Sequence, residues 1–375
     1  MRLVGIGMCA AVLLVGVAAA PAPAAPVEEV GSSASSGVAS AADLRDPHGV
    51  GWALKATGKD TVRFRGLAAV NRSTAWLAGS KGTVLRTVDG GRAWRDVSPP
   101  GAVAEALELR DIEAFDARRA VALSIGEGEA SRVLRTEDGG ATWTETFRNP
   151  DPRAFYDCLT FFDSRHGLAV SDPVDGKFRV LSTDDGGRNW RVLPDAGMPA
   201  ALPGEAGFAA SGQCLVAAGS RDVWLATGGS TVARVLHSAD RGRTWRVTQS
   251  PVPAGDPARG VFALAFRDRT TGLAVGGDYR TGEASPRAAA VSADGGRTWR
   301  PSTTPPPAYR SGVTWHPYLR TAALAVGPTG TDVTLDGGRT WRALEEGSYD
   351  TVDCAADGGC WASGEKGRVA RLERR

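Results

Sequence analysis

Short apolar stretches recur along the chain and are separated by segments rich in glycine, aspartate and proline. A representative unit is AWLAGSKGTVLRTVDGGRAW at residues 75–94, in which AWLAG and TVLRT are apolar segments joined by a glycine-containing turn. Beyond the apolar amino-terminal run, no long stretch shows the 3.6-residue periodicity of an amphipathic helix. Strands joined by Gly- and Asp-rich turns predict an all-β chain.

One turn occurs six times. It reads TVDGGRAW at residues 87–94 and is followed by five close copies, which end with TLDGGRTW at 334–341. The aspartates of successive copies are 42 to 55 residues apart, a period that suits one four-stranded propeller blade per repeat. These aspartates are Asp89, Asp138, Asp185, Asp240, Asp294 and Asp336.

The composition of this turn has a local explanation. Aspartate oxygens accept hydrogen bonds from backbone N–H groups, glycine supplies a positive φ, and Ser or Thr adds a hydroxyl bond. The closing tryptophan buries an apolar face between sheets. The fourth copy has Arg241 in place of the first glycine but keeps Gly242. Six copies around a ring cannot converge on one substrate, so we assign a structural role to the shared residues.

The two ends of the chain complete the count of blades. CWASGEKGRVARL at 360–372 imitates AWLAGSKGTVLRT at 75–87 but lacks a fourth strand, and GVGWALKATG at 49–58 resembles a strand that follows the repeated turn. The sequence therefore predicts a single seven-bladed β-propeller over residues 49–375, whose last blade is closed by the amino-terminal strand. Seven equivalent tryptophans result: Trp52, Trp94, Trp143, Trp190, Trp245, Trp299 and Trp341.

These S/T-x-D-x-G-x-T-W elements resemble the Asp-box, or BNR, repeats of sialidases, sortilin-like receptors and photosystem II stability/assembly factors. The resemblance is nearest to the assembly factors and covers nearly the whole chain after residue 48. It implies a non-enzymatic protein that binds a protein or peptide partner. In that family the implied partner is a membrane-protein precursor. The motif is specific for a propeller and weak for function.

A sialidase-like glycoside hydrolase is the alternative, and a sensory or receptor module is a third interpretation. Only Phe64-Arg65-Gly66 resembles the FRIP motif of sialidases, and no glutamate can be paired from sequence with a tyrosine nucleophile. The histidines show no metal-ligand or triad spacing. We therefore predict no catalytic residue, no metal and no cofactor. The candidate nucleophiles would be Tyr156, Tyr279, Tyr309, Tyr318 and Tyr349.

The amino-terminal residues predict export. Residues 1–24 combine Arg2, an apolar run and small residues, as in a cleavable signal peptide, and residues 25–48 have the composition of a flexible linker. We expect a secreted or cell-envelope protein with no transmembrane segment after cleavage. The net charge of +2 gives no reason to expect a nucleic-acid partner, and we expect a monomer.

Four cysteines follow the predicted signal peptide. Cys354 and Cys360 flank the turn-rich AADGG, and either a hairpin disulfide or two buried free thiols would suit this spacing in an exported protein. The sequence leaves the redox state of Cys158 and Cys214 open.

Function is expected where the repeats differ, because the fold accounts for the residues they share. Enlarged loops at 171–178, 193–208, 276–287 and 302–312 project from one face of the predicted propeller. Five arginines precede innermost strands and could surround the mouth of the central channel, with Asp111 and Asp157 beside them. The predicted partner-binding residues are Arg65, Arg110, Asp111, Arg153, Asp157, Arg259 and Arg310.

Overall fold

The computed structural model describes residues 41–46, 49–280, 285 and 287–375. The predicted signal peptide and residues 25–40, 47 and 48 of the predicted linker lie outside these residues. The described chain forms seven antiparallel sheets of four strands each, which confirms the predicted seven-bladed β-propeller. Innermost strands of consecutive blades contact each other around the ring, and the last contacts the first.

The first six blades are each built from four consecutive strands. Blade 1 comprises β2 (Phe64–Ala69), β3 (Ala75–Gly79), β4 (Val84–Thr87) and β5 (Arg95–Asp96). Blade 2 comprises β6 (Glu108–Ala114), β7 (Ala120–Ile125), β8 (Arg132–Thr136) and β9 (Thr144–Arg148), and blade 3 comprises β10 (Tyr156–Phe161), β11 (Gly167–Val174), β12 (Lys177–Thr183) and β13 (Arg191–Val192). Blade 4 comprises β14 (Leu215–Ala218), β15 (Asp222–Ala226), β16 (Arg234–Ser238) and β17 (Arg246–Gln249). Blade 5 comprises β18 (Arg259–Phe266), β19 (Gly272–Asp278), β20 (Ala289–Ser292) and β21 (Arg300–Pro301), and blade 6 comprises β22 (Gly312–Trp315), β23 (Ala323–Gly327), β24 (Gly330–Thr334) and β25 (Arg342–Glu345).

Blade 7 joins the two ends of the described chain. It contains β26 (Thr351–Cys354), β27 (Cys360–Ser363) and β28 (Val369–Arg374), and its outer strand is β1 (Val50–Leu54). Strands β1 and β28 are antiparallel, with Trp52 opposite Leu372. The ring is therefore closed by the strand that precedes blade 1. A disulfide joins Cys354 to Cys360 across the hairpin of β26 and β27.

Folded structure begins earlier than the sequence indicated. Residues expected to belong to the linker form α1 (Ala41–Arg45), and Leu44 is fully buried in a cluster with Val50 and Trp52. Arg342 donates a hydrogen bond to the Leu44 carbonyl, which fixes the helix to blade 6. Leu44 is an isolated apolar residue in a polar segment, so hydrophobic patterning gave no signal for it.

The remaining helices are short. They are α2 (Pro100–Ala104), between blades 1 and 2, and a single 3₁₀ turn (Gly128–Ala130) in blade 2. Within the described ranges, therefore, no helix has the length and apolar character needed to cross a membrane.

The six repeated turns share one hydrogen-bond network. In each, the Ser or Thr hydroxyl donates to Oδ1 of the aspartate at 2.7 to 3.0 Å and accepts from the N–H of the second glycine. The same Oδ1 accepts the N–H four residues further on. In the second turn, hydrogen bonds from the Thr142 hydroxyl and N–H lower the pKa of Asp138 to about 2. The network is satisfied within the turn, as the structural role requires.

The fourth turn shows why Arg241 is tolerated in place of glycine. Arg241 has φ of 60°, a left-handed conformation that most side chains avoid. Its Nε donates to the Ser220 carbonyl at 2.8 Å, and its guanidinium lies over the Phe162 ring. Gly242 cannot be replaced as easily, because a Cβ there would lie 2.9 Å from Leu168.

The tryptophans of the repeated turns are not the most buried ones. Trp52, Trp245, Trp299 and Trp341 are buried, whereas Trp94, Trp143 and Trp190 are half-buried. The fully buried tryptophans are instead Trp76, Trp224 and Trp361, each on the second strand of its blade. Second-strand side chains lie between neighbouring sheets, and the turn tryptophans cover the outer end of the same interfaces.

Candidate functional site

A cavity of 570 Å³ lies at the centre of the face where the innermost strands begin, and all seven blades or their connecting loops contribute to it. This volume falls in the range of small-molecule and peptide side-chain sites. Its wall has a basic part, an aromatic part and an acidic part. The lining residues are Arg63, Arg65, Arg110, Ile125, Phe155, Asp157, Asp172, Gly207, Phe208, Ala209, Ala210, Phe262, Tyr279, Tyr309, Pro328 and Asp350.

Four of these side chains share one structural cause. Strands β2, β6, β10 and β18 each contain a β-bulge, and the extra residues are Arg65, Arg110, Asp157 and Phe262. A bulge bends its strand locally and changes the direction of the side chain that it inserts. Equivalent bulges on four innermost strands therefore present four side chains to one cavity.

Residues 207–213, which we call the floor segment, lie across the centre of the ring. Gln213 donates from Nε2 to the Val352 carbonyl and accepts the Val313 N–H at Oε1, both at 2.9 Å, so it connects blade 4 with blades 6 and 7. Arg110 of blade 2 donates to the Ala209 carbonyl at 2.9 Å. A disulfide between Cys158 of β10 and Cys214 anchors the carboxyl end of the segment. The floor segment thus closes the central channel at the base of the cavity.

The basic part of the wall contains an incompletely neutralised guanidinium. Arg63 forms two hydrogen bonds to Asp350, at 2.7 and 2.6 Å. Arg65 approaches the same carboxylate only to 3.8 Å, and its buried Nε has no hydrogen-bond partner among the described residues. Burial lowers the pKa of Arg65, although Asp350 opposes this shift. Two guanidinium groups therefore face one carboxylate.

The aromatic part is a contiguous group on blades 5 and 6 and the floor segment. The rings of Phe208 and Phe262 are stacked with centroids 3.9 Å apart, and Tyr309 meets Phe262 edge-on at 4.7 Å. Tyr279 contacts the same ring at 6.0 Å and is 54% exposed. Such a surface can bury an apolar side chain or stack on a planar group.

The acidic part consists of Asp157 on β10 and Asp172 on β11. Their carboxyl groups are hydrogen-bonded to each other, and Asp172 also accepts the Gly207 N–H at 2.8 Å. Burial raises the pKa of Asp172 to about 6 and raises the pKa of Asp157 further above its usual range, with the adjacent Asp172 charge adding to the second shift. Both carboxyls therefore take up protons more readily than exposed aspartates do.

The structure brings together three of the predicted partner-binding residues, namely Arg65, Arg110 and Asp157. Asp111 is buried beside the floor segment and accepts the Leu159 N–H at 2.7 Å, and burial raises its pKa to about 7. A Cβ on Gly212 would lie 2.3 Å from Asp111 Oδ1, so this carboxyl supports the floor segment from below. Asp111 does not line the cavity.

The other three predicted arginines lie elsewhere. Arg310 is only 2% exposed, with its Nε 2.6 Å from Asp332 and further hydrogen bonds to Thr329 and Tyr309. Arg153 is exposed and pairs with Asp151 and Asp175, and Arg259 pairs with Asp278. These three side chains are occupied in intramolecular ion pairs outside the cavity lining.

Sequence reasoning missed Arg63, the aromatic wall and the role of Gln213. A signal was present, because each blade has a residue two positions before a buried Leu, Ile or Val at the start of its innermost strand. When the seven blades are aligned on that apolar residue, these positions correspond to one another. When the blades are aligned on the first residue of the innermost strand, they do not. The seven are Arg65, Arg110, Asp157, Gln213, Phe262, Ser311 and Asp350.

Comparisons with known proteins were informative only at the level of structure. No family model and no curated protein matches this chain. A solved structure of YCF48 bound to D1 peptide superimposes with a TM-score of 0.60 at 14% identity, covering 85% of this chain and 94% of that one. YCF48 from Cyanidioschyzon merolae gives 0.56 at 15% identity, with coverages of 86% and 98%.

An enzyme is also among the similar structures. The GH74 xyloglucanase from Xanthomonas campestris has a TM-score of 0.54 at 17% identity, covering 81% of this chain and 52% of the xyloglucanase. At such identities these likenesses show the fold alone. They confirm that the predicted resemblance to photosystem II assembly factors holds for the fold: the chain is a seven-bladed propeller similar in structure to YCF48.

Proposed function

We propose that this protein is an exported, non-enzymatic binding protein that holds a peptide segment of a protein partner in the central cavity. The observation that carries the proposal is the set of equivalent bulges, which turn Arg65, Arg110, Asp157 and Phe262 towards one space. A ring of unlike residues at equivalent positions is typical of recognition, whereas the residues of the repeated turns are alike.

The basic and aromatic parts of the wall suit an acidic peptide with an apolar side chain. A ligand carboxylate beside Arg65 would supply the partner that its buried Nε lacks, and charged hydrogen bonds of this kind stabilise complexes by about 1.5 to 3 kcal/mol. The stacked rings of Phe208 and Phe262 offer an apolar surface next to it. The YCF48 structure contains a bound D1 peptide, which supports peptide binding by a propeller of this fold.

The side chains of the cavity favour binding over glycoside hydrolysis. Burial and the nearby Asp350 raise the pKa of Tyr309, which makes it a poorer nucleophile. The carboxyl groups of Asp157 and Asp172 are in direct hydrogen-bond contact, whereas glycosidases hold their two carboxyls about 5 to 9.5 Å apart around the sugar. The two disulfides favour an oxidising compartment and so support export.

Alanine substitution of cavity arginines tests this function. We expect peptides selected from a random 12-residue phage library on the wild-type protein to be enriched in Asp and Glu, and to bind Arg65→Ala and Arg110→Ala at least tenfold more weakly. The matched controls are Arg153→Ala and Arg259→Ala, because these arginines lie outside the cavity lining. Binding would be measured by fluorescence anisotropy, with melting temperatures to verify folding.

Two outcomes would contradict the proposal. One is equal loss of affinity in the cavity and control variants, and the other is turnover of a sialoside or xyloglucan oligosaccharide by the wild-type protein. The second outcome would establish the glycoside hydrolase interpretation instead. Arg310 is left out of the variants because removing it would leave the buried Asp332 charge unpaired.

A further inference from the structure

The acidic part of the cavity wall has features that the binding of an acidic peptide does not explain. Asp157 is only 2% exposed, and no backbone N–H and no Ser, Thr or Tyr hydroxyl of the described residues reaches its Oδ2. Buried polar atoms in proteins are nearly always hydrogen-bonded. This one oxygen of the carboxyl thus lacks a donor among the described residues, and the Asp157 side chain lines the cavity.

The surroundings of the pair supply no neutralising charge. Neither Asp157 nor Asp172 takes part in an ion pair within the described part of the chain. The floor segment contributes the Gly207 N–H, and residues 207–210 contain no ionisable side chain. From β6, Arg110 is directed to the Ala209 carbonyl and Glu108, and Asp111 accepts the Leu159 N–H.

An ionised carboxyl pair is costly in a buried position unless a cation neutralises it, and a ligand can supply that cation. A guanidinium is broad and planar, whereas an ammonium group is compact and carries three donors that can be directed to two adjacent carboxyls. The geometry of two touching carboxyl groups on neighbouring strands therefore fits an ammonium better than a guanidinium.

We propose that Asp157 and Asp172 form a second subsite that binds an ammonium group of the same peptide whose carboxylate meets Arg65 and Arg110. The ammonium comes either from a lysine side chain or from a peptide amino terminus. This inference rests on the proposed function, and it adds that the ligand carries both charges. It also explains why a cavity with three arginines retains a carboxyl pair on its wall.

Ammonium binding at this pair would be coupled to pH. The bound cation favours the ionised pair, so binding below the raised pKa values releases protons from the carboxyls. Affinity therefore increases as pH is raised through the pKa of Asp172, which burial raises to about 6. A peptide without an ammonium group releases no such proton.

The test uses a synthetic array of six-residue amidated peptides, each with two glutamates and one phenylalanine. In the first set the amino terminus is acetylated, and each remaining position carries either lysine or its uncharged analogue norleucine. In the second set the amino terminus is free. We expect the best lysine or free-amine peptide to bind at least tenfold more tightly than its norleucine or acetylated counterpart at pH 7.5. The set that shows the preference identifies the source of the ammonium.

Variants and calorimetry make the test specific. In the Asp157→Asn/Asp172→Asn variant, the ammonium preference and the pH dependence should disappear while the dependence on glutamate remains. Asp184→Asn is the matched control, because Asp184 is an exposed aspartate of the same blade that pairs with Arg191. If the double variant does not fold, calorimetry of the wild-type protein in two buffers of different ionisation enthalpy still reports proton release.

The outcomes separate the two proposals. Equal affinity for ammonium and norleucine peptides, with no difference in proton release, overturns the second subsite and leaves acidic-peptide binding intact. A preference that survives in the double variant also overturns it. If no glutamate-containing peptide binds, the proposed function fails and the subsite fails with it.

Discussion

Replacing β1 (Val50–Leu54) by a Gly/Ser sequence of equal length should lower the free energy of unfolding by at least about 5 kcal/mol, or the melting temperature by about 10 to 20 °C. The replacement removes the buried side chains of Val50 and Trp52, and glycine and serine weaken the pairing of this segment with β28. It also removes the hydrogen bond from Trp52 Nε1 to Thr331. Differential scanning calorimetry measures the effect.

The same replacement exposes an open sheet edge. Strand β28 would keep only its pairing with β27, and unpaired edges promote association between molecules. Light scattering should therefore detect aggregation before the variant melts. Leu54→Ser is the matched control, since this side chain of β1 is 63% exposed and should leave the melting temperature unchanged. A replaced strand that melts within 2 °C of the wild type would refute closure of the ring by its amino-terminal strand.

Trp224→Ala should reduce the free energy of unfolding by about 3 to 5 kcal/mol, as truncation of a large aromatic residue in a packed core does. Trp224 is fully buried, its ring is stacked on Phe266 at 3.6 Å and on His237 at 4.6 Å, and its Nε1 donates to the Gly295 carbonyl. Neighbouring sheets cannot collapse into the space left by an indole, because the strands on both sides are fixed by their ladders. Urea unfolding followed by far-ultraviolet circular dichroism gives the value.

Trp190→Ala is the informative comparison. The repetition of the turn favours Trp190 as a core residue, but its ring is half-buried and its Nε1 donates only to the Gly187 carbonyl of its own turn. We expect its truncation to cost less than half as much as that of Trp224. Equal losses in the two variants would contradict the assignment of the core to second-strand tryptophans.

The architecture was predictable because it is specified by a local and repeated pattern. Each Asp-containing turn satisfies its own hydrogen bonds, so its residue types are fixed independently of distant contacts. The incomplete copy at residues 360–372 and the strand around Trp52 then determined how the ring closes. Helix α1 was missed because its burial depends on Leu44 alone, which has no periodic partners.

The cavity was less predictable because it depends on register. The rule that arginines precede innermost strands selected Arg65 and Arg110, which both line the cavity. It also selected Arg153, four residues before Asp157, and Arg259, three residues before Phe262, and neither of these lines the cavity. A bulge adds one residue to a strand and changes the direction of a side chain, and strand patterning does not reveal it. Arg310 was selected for the same reason, although its charge serves a buried pair with Asp332.

Asp157 shows a different limit of sequence reasoning. It was selected as a companion of the arginines, but its partner Asp172 lies on the adjacent strand, in a segment that was predicted only as an enlarged loop. The hydrogen bond between the two carboxyls depends on the pairing of β10 with β11 and on the position of Gly207, and no local pattern encodes either.

Because the floor segment closes one end of the central channel, the propeller has one opening to its centre instead of two. A polypeptide could not pass through the central channel, because Gln213 and its hydrogen bonds to Val313 and Val352 lie across it. Any guest would have to enter as a chain end or as a bent loop and depart by the way it came. The stoichiometry would then be one guest for each propeller, and a long partner would remain wholly on the side of the mouth.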